Sequence, residues 1–240
     1  AVAEEIGNSA FFKHTYIEEV TIPANIKRVG TSAFYNCLNL KKVIFEGGEL
    51  IETKSFSSCK NLTVVRFSKN VKKIEPHAFG YTNIASATLP EGVSLEGEKF
   101  FFRDDFTVYY TQGTELSEIS YRGNLIECES VYENGFPYVK SVKLNLVTKD
   151  YGSTKLEISE YMSAILWVPE REGYTFEGWS KNETCNTIDY PVYTSPDFWN
   201  SDIAFLFLEA KYTYNPFYDS ERNPVYDPNV KVLYAVWKKI

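Results

Sequence analysis

The 240-residue sequence predicts a mainly β protein in which a short solenoid with a narrow parallel sheet precedes a second β-rich module. Three observations support this fold class. One apolar-to-Phe pattern recurs along the first hundred residues, each copy is followed by a short apolar alternation, and strand alternation resumes after the repeats end. A fixed period just above 20 residues is typical of solenoids, whose units must stack to bury their apolar faces.

The repeated pattern is an apolar residue followed five positions later by Phe. The pairs are Ile6 with Phe11, Val29 with Phe34, Ile51 with Phe56, Ile74 with Phe79, and Leu95 with Phe100. The successive Phe residues are 23, 22, 23 and 21 positions apart. Each of the first four is followed by an apolar residue and then by a period-2 pair: Val20 and Ile22, Val43 and Phe45, Val65 and Phe67, Ala87 and Leu89. Such pairs predict short strands with one buried face, stacked as a parallel sheet.

Two polar or sulfur-bearing positions also recur between coils. Asn39, Asn61 and Asn83 are predicted to be buried amides that bond the backbone of the next coil. Cys37 and Cys59 each follow a repeat Phe by three positions, which predicts a ladder of small buried side chains. A disulfide between the two coils stays open, because sequence does not reveal connectivity. Cys128 and Cys185 are isolated and no CxxC occurs, so a thiolate zinc site is not favoured.

These units resemble BspA-type leucine-rich repeats over about the first 110 residues, in four to five units. The best-matching positions are Pro23, Gly30, Ala33, Phe34, Cys37 and Leu40. The resemblance weakens at the ends: the last unit has Lys99 where Ala is usual, and the chain enters its first repeat part-way at Ala1. Either further repeats precede Ala1 or a weak cap starts the stack.

The period ends after Phe102. Phe106 to Thr111, "FTVYYT", is interpreted as a strand that closes the stack, and 112–137 as a junction with scattered glycines. The predicted domains are therefore a solenoid with a capping strand at 1–111, the junction, and a β module at 138–240 with insertions at about 185–229.

The second module resembles the internalin-type B-repeat, also called the Listeria-Bacteroides repeat. The resemblance rests on "EGYTFEGW" at 172–179 and "LYAVW" at 233–237. It implies a small ubiquitin-like, β-grasp-type module on an exported bacterial protein. Tyr174, Phe176 and Trp179 are expected in its core, with Gly173 and Gly178 at turns. The usual Asn-Gly-Gly hairpin is replaced by "TKDYGS", so that turn must be built differently.

Charge and motif content narrow the function classes. The net charge is −7, with 13 Lys/Arg against 13 Asp/Glu in residues 1–112 and 12 against 19 in residues 113–240. The absence of a Lys/Arg-rich run does not favour nucleic-acid binding, and no apolar run is long enough for membrane insertion. His14 and His77, the two histidines, lie nearly three coils apart, so no catalytic site is predicted. No cofactor or metal site is predicted either, and Asp219, Glu221 and Asp227 are interpreted as a solvated acidic loop.

The candidate binding residues lie in two regions. The outward positions of the solenoid strands include Lys42, Ile44 and Arg66, which would either dock a protein or form a solvated face. The insertions of the second module contribute aromatics that would anchor a partner or cap an enlarged core: Tyr190, Tyr193, Phe198, Trp199, Tyr212, Tyr214, Phe217, Tyr218 and Tyr226.

The two resemblances imply an exported bacterial cell-surface or secreted protein that is not an enzyme. It would act in adhesion or recognition, with a host or matrix protein or a polysaccharide as its partner. A structural stalk that presents another domain is the alternative. A carbohydrate-active enzyme is a weaker alternative, since it would need two carboxylates facing each other across a cleft.

Overall fold

The computed structural model describes residues 2–95, 106–111, 113–116, 124–143, 149–151, 154–156, 165–194, 204–207 and 232–240. Within these ranges the protein is mainly β and contains no helix. The chain divides into two compact units, Ala1–Val139 and Lys140–Ile240. The domain boundaries predicted at 111 and 137 stay a prediction.

The first unit contains two kinds of strand. Two-residue strands form one sheet: β1 (Glu5–Ile6), β3 (Arg28–Val29), β5 (Leu50–Ile51), β7 (Lys73–Ile74), β9 (Ser94–Leu95) and β11 (Glu115–Leu116). The longer ones are β2 (Glu19–Ile22), β4 (Lys42–Phe45), β6 (Val64–Phe67), β8 (Ser86–Thr88), β10 (Thr107–Tyr110), β12 (Asn124–Glu133) and the start of β13 (Phe136–Lys143). Strands β2, β4 and β6 pair in parallel, as do β8, β10 and β12.

The predicted parallel sheet is confirmed, and its register follows the Phe spacing. Glu19 lies opposite Lys42, and Lys42 lies opposite Val64. The inward residues of each alternating pair are buried in β4 and β6, as the period-2 pattern predicts. The sheet of two-residue strands was not predicted, because a pair of residues carries no periodic signal.

Stacked phenylalanines fill the core of the solenoid. The ring centroids of Phe11 and Phe34 are 4.8 Å apart, those of Phe34 and Phe56 are 4.9 Å apart, and those of Phe56 and Phe79 are 5.4 Å apart. The interplanar angles are 10° or less, so the rings form a continuous ladder. Phe45 meets the edge of the Phe56 ring at 5.5 Å and closes the core from the strand side.

The backbone around each ladder Phe has an unusual conformation that repeats. The residues two before and two after Phe have positive φ angles between 56° and 64°: Ser9, Lys13, Ser32, Asn36, Lys54, Ser58, His77 and Tyr81. None of them is glycine, although this region normally costs a side-chain-bearing residue some free energy. Hydrogen bonds between coils hold it in place, such as Phe34 N to Ser55 O at 2.7 Å and Phe56 N to Ala78 O at 2.8 Å.

Two expectations about the solenoid are corrected. Asn39 and Asn83 are exposed rather than buried, and their amides donate to Thr15 O at 2.6 Å and Lys60 O at 2.7 Å in the preceding coil, not the next one. Asn61 is exposed as well. The amide at this position donates one hydrogen bond to a carbonyl at the coil surface. Its remaining polar atoms can bond to solvent, so exposure of the side chain costs no free energy.

The strand predicted to close the stack does not close it. β10 pairs with β8 on one side and with β12 on the other. β12 and β13 occupy much of the range interpreted as a junction, and they meet at Asn134 (φ 53°) and Gly135 (φ 83°). Two successive residues with positive φ are the requirement of a type I′ hairpin turn, for which Asn-Gly is the favoured pair.

The second unit holds the C-terminal part of β13 and the remaining strands. These are β14 (Lys149–Tyr151), β15 (Thr154–Leu156), β16 (Ile165–Trp167), β17 (Tyr174–Ser180), β18 (Tyr190–Pro191), β19 (Tyr193–Thr194), β20 (Ala204–Phe207) and β21 (Val232–Lys239). β21 pairs antiparallel with β13 and β17, and β17 with β18. β16, β20 and β19 form a second sheet, and β14 and β15 pair separately.

The two end motifs of the second module lie side by side. Phe176 faces Trp237, and Trp179 faces Ala235, across the β17–β21 pair. Trp179 is fully buried and Phe176 nearly so, whereas Tyr174 is only half-buried. A register shift occurs between Phe176 and Gly178. The expected aromatic core is therefore confirmed for two of the three rings.

Candidate interaction surface

The outward face of β2, β4 and β6 carries side chains that lie outside the buried core. Lys42 and Ile44 point outward from β4 and are half-buried, because Val43 and Phe45 take the inward positions. Ile44 lies between Thr21 and Arg66 in register. The face thus combines an apolar centre with charged neighbours.

The β12–β13 hairpin approaches this face at β6. The guanidinium of Arg66 lies 4.4 Å from the centroid of the Phe136 ring, and Lys69 N donates to Gly135 O at 2.9 Å. On β12, the hydroxyl of Tyr132 accepts a bond from Glu91 N at 2.8 Å. Of the three solenoid residues predicted as binding residues, Arg66 is therefore engaged within the unit, while Lys42 and Ile44 stay on the outward face.

The contact to Phe136 was missed in the sequence, although a signal for it existed. Asn134-Gly135 stands between two runs of strand-forming residues, which is a strong hairpin signal. A hairpin at this position would have placed Phe136 directly after the turn. The strand of the solenoid that it would reach could not have been read from sequence.

A polar network braces the sheet of two-residue strands. Arg28 donates to both carboxylate oxygens of Glu52, at 2.6 Å and 3.1 Å, and also to Glu5 at 3.0 Å. Glu52 further accepts bonds from the backbone and hydroxyl of Thr31. The hydrogen bond from Arg28 holds the pKa of Glu52 below its usual range, despite partial burial. All these partners belong to adjacent coils, so the network stabilises stacking.

The sulfur-bearing column is buried, as predicted. Cys37 and Cys59 are inaccessible to solvent and both are free thiols. The Cys37 thiol donates to Phe11 O at 3.1 Å, and that of Cys59 to Phe34 O at 3.1 Å. The neighbouring Cys59 lowers the pKa of Cys37, whereas the neighbouring Cys37 together with burial raises the pKa of Cys59. His14 in the same column is exposed and its ring contacts Phe11 edge-on at 6.2 Å.

The aromatic binding residues of the second module stay a prediction. Tyr190 and Tyr193 lie in β18 and β19, but their side chains are not described. The remaining aromatics lie outside the described residues: Phe198, Trp199, Tyr212, Tyr214, Phe217, Tyr218 and Tyr226. Two described aromatics of this unit, Tyr174 and Trp237, lie near a cation. The guanidinium of Arg171 is 3.5 Å from the centroid of the Tyr174 ring and 6.0 Å from that of the Trp237 ring.

Metal-binding clusters and membrane-spanning helices are both absent from the described part of the chain. It holds no group of three His, Cys, Asp or Glu residues placed to bind a metal ion. It also holds no helix whose length and apolarity would allow it to cross a bilayer.

Comparison with known proteins identifies the repeats. Residues 2–107 match the BspA type leucine rich repeat region in 6 copies. The N-terminal repeats are thus similar to BspA type leucine rich repeats. The Phe spacing predicted four to five such units, and the BspA-type match divides the same stretch more finely. The B-repeat resemblance of the second module stays a prediction.

The chain is also similar to a leucine rich cell surface protein from Faecalibacterium prausnitzii A2-165. The sequence identity is 19%, the match covers 57% of this chain and 46% of that protein, and the TM-score is 0.22. The match thus spans less than half of that protein's length. No curated protein matches the chain.

Proposed function

We propose that this chain is a non-catalytic recognition protein of the bacterial cell surface or its surroundings, and that it acts in adhesion. The observation that supports this best is the outward strand face, where Lys42 and Ile44 lie outside the buried core and stay partly exposed. Stacked repeats create extended surfaces whose outward positions vary without disturbing the core. BspA-type repeats are typical of interaction proteins rather than enzymes.

The partner class is a host or matrix protein or a polysaccharide. Ile44 supplies an apolar centre, and Lys42 supplies a charge that would set orientation. Arg66 does not belong to the core of this proposed site, because Phe136 lies on its guanidinium. The B-repeat-like module at 138–240 is proposed as a second, exported-type domain, whose insertion aromatics form an additional candidate site.

Binding of the purified chain to an immobilised panel of matrix proteins and polysaccharides tests the proposal. The variant Lys42→Glu/Ile44→Thr changes the outward face and keeps the inward residues of β4. Lys60→Glu is the matched control, since Lys60 is exposed on the turn side and its charge change is the same. We expect saturable binding that falls at least tenfold in the first variant and stays within twofold in the control.

A second variant separates the two candidate sites. Changing Tyr212, Tyr214, Phe217 and Tyr218 to Ser removes the insertion aromatics. Loss of binding in this variant alone would move the site to the second module. No saturable binding to any panel member would contradict the recognition proposal and favour the stalk alternative.

A further inference from the structure

Cys37 and Cys59 occupy equivalent positions in successive coils. Each thiol donates to the carbonyl of the ladder phenylalanine one coil earlier, and both sulfur–oxygen distances are 3.1 Å. The two side chains therefore have the same orientation and stack directly along the solenoid axis. Because Phe11 and Phe34 are themselves equivalent residues of successive coils, the two thiols are neighbours in one column of the stack. Both side chains are fully buried, so this column is shielded from solvent.

The backbone spacing at this pair suits a covalent bond. Phe34 N donates to Ser55 O at 2.7 Å, and Asn36 N donates to Ser57 O at 2.9 Å, so the coils are tied just before the cysteines. Hydrogen-bonded neighbouring chains lie about 4.7–4.9 Å apart. Disulfides join Cα atoms that are about 4.4–6.8 Å apart, and a chain spacing of this size lies in that range.

Oxidation would leave no buried acceptor without a donor. The two carbonyls now bonded by the thiols have second donors: Phe11 O accepts from His14 N at 3.1 Å, and Phe34 O accepts from Cys37 N at 3.3 Å. Loss of the S–H groups therefore does not incur the cost of an unsatisfied buried carbonyl.

We propose that Cys37 and Cys59 form a disulfide that covalently staples two adjacent coils, with a small disulfide such as glutathione disulfide as the oxidant. One of the two cysteine thiolates attacks glutathione disulfide and releases one glutathione thiolate. The thiolate of the other cysteine then attacks the protein sulfur of the mixed disulfide and releases the second glutathione thiolate. Two cysteines lose two electrons and two protons, and one glutathione disulfide becomes two glutathione thiols.

The burial of both thiols decides when the disulfide can form. Because both thiols are inaccessible in the closed solenoid, the reaction requires a transient opening of the coils or takes place during folding. The oxidation is therefore expected to be slow in the folded protein and fast during refolding.

The other two cysteines provide an internal comparison. Burial raises the pKa of Cys128 to about 11, and its sulfur contacts Ser130 at 3.3 Å. Cys185 is half-buried in a loop, and its thiol donates to Ala235 O at 3.8 Å. Neither has a cysteine at the equivalent position of a neighbouring coil.

Refolding of the full chain in a mixture of oxidised and reduced glutathione tests the proposal. After quenching and alkylation, tryptic digestion without reductant should yield Val29–Lys41 linked to Ser55–Lys60, the two peptides that hold these cysteines. We expect this pair in most molecules, both in the natural chain and in a Cys128→Ser/Cys185→Ser variant. The linked peptides should disappear in Cys59→Ser. The natural chain, oxidised while it is kept unfolded in denaturant, should instead give mixed pairings among its four cysteines.

The staple should also be visible in stability. The closed loop is short, and constraint of the unfolded chain is expected to raise the unfolding midpoint of the solenoid by on the order of 10 °C over the reduced protein. Recovery of both peptides as alkylated or glutathionylated species, or pairing with Cys128 or Cys185 in similar yield, would overturn the proposal. An oxidised protein with an unchanged midpoint would refute the stapling role.

Discussion

Truncation of Phe56 tests whether the phenylalanine ladder holds the solenoid together. Its ring is fully buried, stacks on Phe34 at 4.9 Å and on Phe79 at 5.4 Å, and meets the edge of Phe45 at 5.5 Å. Phe→Ala in a core costs about 3–5 kcal/mol, and three ring contacts place Phe56→Ala near the upper end. Phe11→Ala is the matched control. Its ring is 37% exposed and stacks only on Phe34 among the described phenylalanines, so we expect about 2 kcal/mol or less.

The assay must report on the solenoid specifically. All four tryptophans, Trp167, Trp179, Trp199 and Trp237, lie in the second half of the chain, so tryptophan fluorescence would not follow the repeats. Hydrogen exchange measured on peptides that cover β4 and β6 does follow them. A loss of about 4 kcal/mol corresponds to exchange faster by roughly 10³-fold in Phe56→Ala. Equal acceleration by Phe56→Ala and Phe11→Ala would refute the ladder as the main source of stability.

Three further predictions concern local features. Lys54 has φ 58°, a conformation that a β-branched side chain rarely adopts. Lys54→Val should therefore destabilise the solenoid by about 1–2 kcal/mol in urea unfolding, whereas Lys54→Gly should not. Equal unfolding midpoints for the two variants would contradict this backbone argument. Gly135→Ala places a side chain at φ 83° and should reduce the stability of the hairpin by about 1 kcal/mol. Hydrogen exchange should become faster in β12 but not in β4. Unchanged exchange in β12 would argue against the type I′ turn. The pKa of Glu52 is lowered in the folded state by Arg28, so its stabilising contribution is present above about pH 4.3 and is lost as the pH falls further. Unfolding midpoints measured from pH 3 to 6 should therefore fall less steeply in Glu52→Gln, and an identical slope would contradict the role of this pair.

Sequence could predict those parts of the fold in which residues of one type recur at a fixed spacing. The recurrence of Phe11, Phe34, Phe56 and Phe79 fixes which side chains stack, because each ring must meet its equivalent in the next coil. The alternation of Val43 and Phe45 likewise fixes the inward face of β4. The inward face of the strands was predicted and is confirmed, and the ring stacking is a consequence of the same period.

What sequence could not predict depends on single contacts rather than on a period. The engagement of Arg66 by Phe136 joins residues 70 positions apart, and no repeat relates them. The exposure of Asn39 shows the same limit: the pattern indicated an inter-coil bond, but which carbonyl it reaches is decided by the local direction of the side chain. The candidate aromatics of the second module stay predictions for a related reason, since irregular insertions rich in Pro carry no period at all.

The difference between repeated and unrepeated positions also explains why the repeat predicts a fold but not a ligand. Inward positions are constrained by stacking and must repeat, whereas outward positions in one register row differ freely, as Thr21, Ile44 and Arg66 do. The ligand preference of the face is therefore set by residues on which the period places no constraint. The hairpin reduces the part of this face that a ligand can use, because the guanidinium of Arg66 already packs on the Phe136 ring. A partner that uses the face is consequently expected to contact β2 and β4, with Ile44 at its centre, and to leave the Arg66–Phe136 contact intact.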